Sequence, residues 1–368
     1  MSGAIGPARI VGDFASGKTT ALREEAARCE APLVLCATAA SAAAFGSDAR
    51  TFWDLAVDII SRHREPVRLL TTPEQHAIVA SLQGRPEPEV ADAVAHYQAS
   101  FLGVEELRTH ADAAGVGGPW EELATFADVY LDHLREQGLV DWGGALVQAS
   151  LVLRDDEVAA AERGRFDRVL VDDYEAASFA TQRLLAQLTG RGGHVTVAGN
   201  PDAGVWAPWG GSVRYLTRFD RHFGAERDEH LDACYRSPVD TPADIGEADA
   251  VLVADPHLLD AVTADLRSMD VPVQPWPADP WVALPARSEG AVPMLPVTQA
   301  TGLAWDTVVV VTGEAHPHAE AVLDLDLLGG PDLPDAATRA ARAAARHDAL
   351  VRLGRSRAIQ KIFKRSRP

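Results

Sequence analysis

The chain has 368 residues, with 34 Lys or Arg against 53 Asp or Glu, and its formal net charge at pH 7 is −19. A chain of this length can bury two or three separate cores, and its acidic balance argues against a generic polyanion binder. No apolar run approaches bilayer-spanning length, and the N-terminus lacks a basic stretch followed by an apolar one. We therefore expect a cytoplasmic protein with no membrane partner.

The first predicted strand, at residues 9–11, runs into Gly12-Asp13-Phe14-Ala15-Ser16-Gly17-Lys18-Thr19, and a helical pattern follows over 21–29. This order of strand, G-x-x-x-x-G-K-T loop and helix is that of a phosphate-binding P-loop. Its backbone N–H groups can point at an anion, and the helix dipole adds positive potential. We expect Lys18 to reach the β- and γ-phosphates of ATP and Thr19 to coordinate Mg²⁺. The expected nucleotide-binding residues are Gly12, Ser16, Gly17, Lys18, Thr19 and Thr20.

Lys18 is the only lysine before Lys361, in a chain that otherwise uses arginine for positive charge. An ammonium is a compact point charge and a guanidinium a planar fork, so the two do not exchange freely at a phosphate. The alternative is a chance glycine turn before a helix. The combination of motif, context and lysine favours a nucleotide site.

After the P-loop helix the sequence predicts a strand at 31–38, a helix at 39–45 and a further helix at 51–60. This alternation is typical of a parallel sheet with helices on its faces. From 62 to 163 strand signals vanish and helical periodicity takes over, which indicates a helical insertion. The insertion's predicted helices lie at 73–83, 87–101, 104–114, 120–138 and 142–153.

Alternation resumes with an apolar strand at 166–171 that ends in Asp172 and Asp173. Two acids after a buried strand are typical of a Walker B site, in which one carboxylate holds Mg²⁺ and its neighbour orients the attacking water. We assign Asp172 to the metal and Asp173 to the water. The next strand, at 194–198, ends in Gly199-Asn200-Pro201-Asp202, a turn rich enough in special residues to carry function. We name residues 199–202 the sensor turn.

A second α/β set follows, with strands at 250–254, 271–273 and 307–312, helices at 256–269 and 335–353, and a loop at 276–296. Residues 339–367 contain ten Arg and Lys, so the C-terminal end is basic. Two interpretations of this end stay open: a solvated helix face with a disordered tail, or a nucleic-acid contact.

Taken in order, these landmarks resemble those of UvrD/Rep-type superfamily 1 DNA helicases over most of the chain. Residues 67–75 are also similar to actinobacterial AdnA-like helicase-nuclease subunits, although we recognise no nuclease segment. Besides the P-loop, the similar segments are 35–45, 51–53, G-L-V-D-W at 138–142, V-D-D-Y-E at 171–175, G-N-P-D-A-G-V-W at 199–206, Y-R-S at 235–237, T-G-L-A-W-D at 301–306 and S-R-A at 356–358.

The resemblance implies an α/β fold of two RecA-like P-loop lobes with parallel sheets and a helical insertion in the first lobe. The first lobe would comprise residues 1–61 and 164–240, the insertion 62–163, and a reduced second lobe with a basic tail 241–368. ATP would lie between the lobes, where Arg236 and Arg357 neutralise charge in phosphoryl transfer. Each arginine could instead be an ordinary surface residue.

Single-stranded DNA would cross the top of the lobes, and bases would stack on aromatic rings. Trp206 fits the stacking position, and Trp209 and Phe45 are further candidates; the alternative for Trp206 is a core position. Relatives work in DNA repair and recombination, which is the process that the resemblance implies.

Departures from the family pattern bear on activity. Asp173 stands where the family has glutamate, Ala203 replaces a glutamine that senses the γ-phosphate, and Thr301 and Ala304 replace a lysine and a glutamate. About 65 residues separate Arg236 from Thr301, so the large accessory domain found there in relatives is missing, and a protein partner could replace it.

Two hypotheses follow: an ATP-hydrolysing helicase or single-stranded DNA translocase, or a degenerate ATP-binding subunit with weak hydrolysis and a regulatory or structural role. A small-molecule P-loop kinase would leave the helical insertion and late arginine motifs unexplained.

Overall fold

The computed structural model describes residues 6–12, 15–46, 48–86, 88–113, 120–190, 193–203, 206, 209–233, 248–253, 256–301, 303, 305, 307–311 and 360–363. In chain order its strands are β1 (Ala8–Gly12), β2 (Pro32–Cys36), β3 (Ala49–Thr51), β4 (Arg68–Leu69), β5 (Leu139–Val140), β6 (Arg168–Val171), β7 (Val195–Gly199), β8 (Arg227–Leu231), β9 (Ala250–Val253), β10 (Val273–Pro275), β11 (Val292–Pro296), β12 (Val308–Val311) and β13 (Gln360–Phe363). Its α-helices are α1 (Lys18–Ala26), α2 (Ala39–Phe45), α3 (Phe52–His63), α4 (Thr72–Gln83), α5 (Pro88–Ser100), α6 (Val104–Ala113), α7 (Trp120–Glu136), α8 (Trp142–Val152), α9 (Asp156–Arg163), α10 (Phe179–Thr189), α11 (Arg214–Thr217), α12 (Phe219–Phe223) and α13 (Leu259–Ser268).

The first sheet has six strands in the order β3-β2-β6-β7-β1-β8, and every pairing between them is parallel. Strand β7 lies between β6 and β1. Parallel strands present their carboxyl ends at one edge, so the loops after β1, β6 and β7 meet there. This topology brings the P-loop, the Walker B acids and the sensor turn together, although they are far apart in sequence.

Helices α4 to α9 form the helical insertion, and α8 attaches it to the first sheet's helices by packing on α3 and α10, while α8 also packs on α5 inside the insertion. The packing of α8 on α5 is close at Gly143, where an added Cβ would lie 2.2 Å from the carbonyl oxygen of Ala95 in α5. Asp141 caps α8 by accepting the N–H of Gly144 at 2.6 Å. The predicted domain boundaries at 61, 163 and 240 stay predictions.

The second sheet has the order β10-β11-β9-β12-β13, again entirely parallel. The structure therefore confirms an α/β fold with two large parallel sheets and a helical insertion between strands of the first, although the insertion also contains a short parallel pair, β4 and β5, that the sequence does not predict. The sequence prediction of one loop over 276–296 is wrong at its end, because β11 occupies Val292–Pro296. The predicted helix at 335–353 lies outside the described residues.

The segment between β10 and β11, with the turn after β11, packs on the first sheet's helices and on the insertion. The N–H of Ala39 in α2 donates to the carbonyl oxygen of Pro280 at 2.6 Å. The N–H of Thr72 in α4 lies 3.1 Å and 3.3 Å from the carboxylate oxygens of Asp279. The ring of Trp281 lies 5.0 Å from that of Trp53. These contacts join the second sheet to the rest of the chain.

None of the described helices is long and apolar enough to cross a membrane.

Candidate nucleotide site

The loop between β1 and α1 has the backbone shape of an anion cradle. Ala15 and Gly17 both adopt positive φ, at 56° and 96°. Gly17 is the residue before the first turn of α1, so the N–H groups of that turn face the loop. At Gly12 an added Cβ would lie 2.4 Å from the Ser16 hydroxyl and 2.7 Å from the Leu231 carbonyl oxygen, so only glycine fits there. Residues 13 and 14 lie outside the described part of the chain.

The polar atoms of the loop fit a phosphate. Ser16 is buried, and its hydroxyl has no hydrogen-bond partner among the described residues. A buried hydroxyl without a partner costs free energy, which a ligand oxygen would recover. Lys18 is also buried, and its Nζ donates to the carbonyl oxygen of Gly12 at 2.9 Å across the loop. Thr20, the last predicted nucleotide-binding residue, is exposed on α1.

The predicted magnesium ligands are brought together. The Thr19 hydroxyl donates to Oδ2 of Asp172 at 2.7 Å, across 153 residues of sequence. Asp172 follows β6 and is anchored by its N–H, which donates to the Leu35 carbonyl oxygen at 2.9 Å. Burial raises the pKa of Asp172, against the hydrogen bond from Thr19 and the charge of Lys18. A hydroxyl and a carboxylate are the hard oxygen donors that Mg²⁺ takes, so these two residues fit that ion.

Asp173 is placed differently from the water-orienting acid that the sequence suggests. Its backbone is left-handed, with φ 55°, and its N–H donates to Oδ1 of Asp172 at 3.1 Å. Burial and the neighbouring carboxylates of Asp172 and Glu175 raise the pKa of Asp173 well above its usual value, although Lys18 and a hydrogen bond with Ser41 of α2 oppose them. The predicted role of Asp173 stays a prediction.

Glu175 is a further carboxyl group of this site that sequence reasoning did not single out. It is 5% exposed, and its Oε2 accepts the N–H of Asn200 in the sensor turn at 3.1 Å. Burial raises the pKa of Glu175 to about 7, against the charge of Lys18 and two backbone N–H groups. The sequence feature that could have identified Glu175 is its position two residues after Asp173, one turn beyond the end of β6.

The structure corrects two of the three predicted DNA-stacking residues. Trp206 is 2% exposed and Trp209 is 7% exposed, and both belong to the main core of the first sheet. The ring of Trp209 makes edge contacts with those of Trp142, at 5.7 Å, and Trp281, at 5.3 Å. Rings packed in this way present no face to a base. Phe45 is partly exposed at the end of α2, with the guanidinium of Arg23 5.4 Å from its ring centre.

The predicted catalytic arginines, Arg236 and Arg357, and the departure at Ala304 lie outside the described residues. Ala203, which follows the sensor turn, is buried and donates its N–H to the Asn200 carbonyl oxygen at 3.2 Å.

Comparison of the sequence with known proteins identifies the family of this chain. Residues 39–224, half of the chain, match the UvrD/REP helicase N-terminal domain. The ATP-dependent DNA helicase UvrD2 of Mycobacterium tuberculosis is 29% identical over 173 residues, which are 45% of this chain and 24% of UvrD2. UvrD1 of the same organism is 29% identical over 150 residues, 38% of this chain and 20% of UvrD1. The match thus spans about a quarter or less of these relatives' length.

Solved structures give a weaker likeness. The Pif1 helicase of Candida albicans has a TM-score of 0.38 at 10% identity, covering 98% of this chain and 92% of that one. An arterivirus nonstructural protein 10 helicase in complex with DNA has a TM-score of 0.35 at 10% identity, covering 97% of this chain and 61% of that one. TM-scores this low carry no argument, so the family assignment rests on the sequence match. Because that match covers half of the chain, the protein belongs to the UvrD/REP helicase family.

Proposed function

We propose that this chain binds Mg²⁺-ATP at the carboxyl edge of the first sheet and acts as an ATP-dependent DNA helicase or single-stranded DNA translocase. The observation that carries the proposal is the convergence of Lys18, Thr19 and Asp172 around a loop with an unpartnered buried hydroxyl at Ser16. Two separate stretches of sequence, the P-loop and the end of β6, supply these groups, and each is the residue type that phosphate or magnesium requires.

Each of these residues has a defined task in the proposed site. Lys18 would exchange its hydrogen bond to the Gly12 carbonyl oxygen for phosphate oxygens, and its ammonium would offset their charge. The N–H groups at the start of α1 would hold the same phosphates. Thr19 and Asp172 would hold Mg²⁺, which neutralises charge on the phosphate oxygens when bound. Arg236 and Arg357 are proposed to complete the site from outside the described part.

The DNA part of the proposal rests on the family. UvrD2, UvrD1 and Rep are described as ATP-dependent DNA helicases, and we extend that activity, a role in repair or recombination, and hence a cytoplasmic location to this chain. Phe45 remains a proposed stacking residue. The helical insertion carries 18 acidic and 8 basic side chains between residues 62 and 163, so we place no phosphate contacts on it. A protein partner in place of the accessory domain also stays a proposal.

A degenerate, weakly hydrolysing ATP-binding subunit is the second candidate, and Asp173 favours it. Its side chain is one methylene shorter than the glutamate that the family has there, and its backbone is left-handed, with its N–H on Oδ1 of Asp172, so its carboxylate reaches less far toward an attacking water. The side chain of buried Ala203 offers no polar atom to a nucleotide. In this second candidate function the site binds Mg²⁺-ATP, and a partner protein would respond to nucleotide binding rather than to ATP turnover.

Titration calorimetry with Mg²⁺-ATP tests the site. The wild type is expected to bind, and Lys18→Ala to bind at least about 100-fold more weakly, because a charge-assisted contact to two phosphates is lost. Arg28→Ala is the matched control, since it removes one positive charge from an exposed position just after α1. Equal affinities of the wild type and Lys18→Ala would reject the site.

Steady-state ATP turnover, measured with and without single-stranded DNA, separates the two candidates. A motor is expected to hydrolyse ATP faster when DNA is present, because DNA and nucleotide bind the same closed arrangement of lobes. Tight Mg²⁺-ATP binding with turnover near background, unchanged by DNA, supports the degenerate subunit instead.

A further inference from the structure

Glu175 is a buried carboxyl group that the proposed binding of Mg²⁺-ATP does not require. It lies in the turn after β6, beyond the Walker B acids, and it is 5% exposed. Charged side chains are seldom buried to this extent unless specific partners hold them. Its described partners are backbone N–H groups, its own and that of Asn200, together with the nearby charge of Lys18.

These contacts place the carboxylate over β7, between the two loops that flank the proposed nucleotide. The hydrogen bond from Asn200 ties Glu175 to the first residue after β7. Gly199, the last residue of β7, has no room for a side chain, because an added Cβ would lie 2.5 Å from Oε2 of Glu175. Since β7 separates β6 from β1 in the sheet, the carboxylate lies between the Walker B strand and the P-loop strand.

Three carboxyl groups and one lysine determine the charge at the carboxyl edge of the first sheet. Asp172, Asp173 and Glu175 lie close enough to influence one another, and Lys18 is the cation that acts on all three. The ammonium of a P-loop lysine reaches the β- and γ-phosphates, whereas the loop N–H groups cradle the α- and β-phosphates. A carboxylate near the lysine therefore acts most strongly on the terminal phosphate, which ATP has and ADP lacks.

We propose that Glu175 is a nucleotide-selecting residue, whose buried negative charge lowers the affinity of this site for Mg²⁺-ATP relative to Mg²⁺-ADP. Burial raises the pKa of Glu175 to about 7, so the group is charged at pH 8, and a unit charge in a partly buried site changes affinity by about tenfold. The charge is held in place by the Asn200 N–H, so it cannot turn away to solvent when the terminal phosphate arrives. The inference rests on the proposed Mg²⁺-ATP site.

Glu175→Gln tests this directly, because it removes the charge and keeps both the shape and an oxygen that can accept the Asn200 N–H. Affinities for Mg²⁺-ATP and Mg²⁺-ADP are measured by calorimetry at pH 8, with thermal melting as a check on folding. The expected result is a gain of about tenfold in affinity for Mg²⁺-ATP, with a change of less than about threefold for Mg²⁺-ADP. Glu24→Gln is the matched control, since it removes an exposed carboxylate from α1 by the same substitution and is expected to change neither.

The outcomes are distinct. Equal changes for both nucleotides, or no change, overturn the selecting role while leaving the nucleotide site intact. Loss of the folded state in Glu175→Gln shows that the charge is structural, and it overturns the inference as well. Binding of Mg²⁺-ATP by Glu175→Gln but not by the wild type supports it in the strongest form. If neither protein binds either nucleotide, the proposed function itself fails.

Discussion

At the scale of single residues, Gly143 shows how closely α8 packs on α5 within the helical insertion. Its φ is in the helical range, so alanine meets no backbone strain there, but an added Cβ would lie 2.2 Å from the Ala95 carbonyl oxygen. Gly143→Ala must therefore push α8 away from α5. We expect a loss of about 2 kcal/mol in the free energy of unfolding, measured by urea denaturation, because overpacking outweighs the gain in helix propensity.

Gly164→Ala is the control for that prediction. Gly164 also has a helical backbone, with φ −67°, and the nearest atom to an added Cβ is the Ala160 carbonyl oxygen at 3.4 Å. The same substitution there is expected to leave stability unchanged or to raise it by about 0.5 kcal/mol. Similar stabilities for the two variants would mean that α8 and α5 are not packed as closely as the structure has them.

The sequence identifies the residues whose chemical role follows from a local motif. Lys18 and Thr19 follow from the P-loop, and Asp172 follows from an acid at the end of an apolar strand. The sequence predicts that Trp206 stacks on DNA bases, because a sequence shows the motif position of a residue but not its burial. Glu175 was missed because its role depends on Asn200, 25 residues away, whose N–H meets it only after the sheet has formed.

At the scale of elements, one buried carboxylate joins α9 to the end of α3. Glu162 is 1% exposed and pairs with Arg62 at 2.9 Å, His63 at 2.7 Å and Arg165 at 2.8 Å. Burial acts to raise the pKa of Glu162, but these hydrogen bonds outweigh it and lower the pKa to about 2. The folded-state pKa thus lies below the unfolded value of about 4.3, so the pairing stabilises above that pH and is lost as the pH falls toward 2.

Glu162→Gln is expected to lower the free energy of unfolding by about 2 kcal/mol at pH 7, since it removes three hydrogen bonds to a charged group and leaves the cations partly exposed to water. The difference from the wild type should shrink as the pH is lowered from 5 toward 2 in urea titrations. Glu157→Gln, at an exposed position on the same helix, should cost about 0.5 kcal/mol or less. A pH-independent difference for Glu162→Gln would contradict the assignment.

Which elements could be predicted follows from their burial. Strands β2, β6 and β7 are buried almost throughout and read as apolar runs. Strand β8 is an edge strand whose Arg, Asp, Glu and His side chains alternate between partly buried and exposed, so it carries no apolar signal. Strand β11 is buried, but it starts and ends beside prolines that mimic a loop. Its pairing with β9 and β10 overrides that local signal.

At the scale of the whole molecule, the junction between the second sheet and the rest depends on a buried acid. Asp279 is 3% exposed, and its carboxylate accepts both the N–H and the hydroxyl of Thr72 at the start of α4, 207 residues away. Burial raises the pKa of Asp279, against these hydrogen bonds. Its carbonyl oxygen accepts the side-chain N–H of Gln299, so one residue links the insertion, the segment after β10 and the turn after β11.

A double-mutant cycle of Thr72→Val and Asp279→Ala measures that link. Each single change is expected to lower the free energy of unfolding by about 1–2 kcal/mol, because it leaves a buried polar group without its partner. The double variant should be more stable than the sum predicts by about 1 kcal/mol, which is the energy of the shared contact. Thr72→Val combined with Asp260→Ala, an exposed acid on α13, should be additive within about 0.5 kcal/mol. If the first pair is also additive, Thr72 and Asp279 do not meet in solution, and the second sheet is held by other contacts, among them those of Pro280, Trp281 and Thr301.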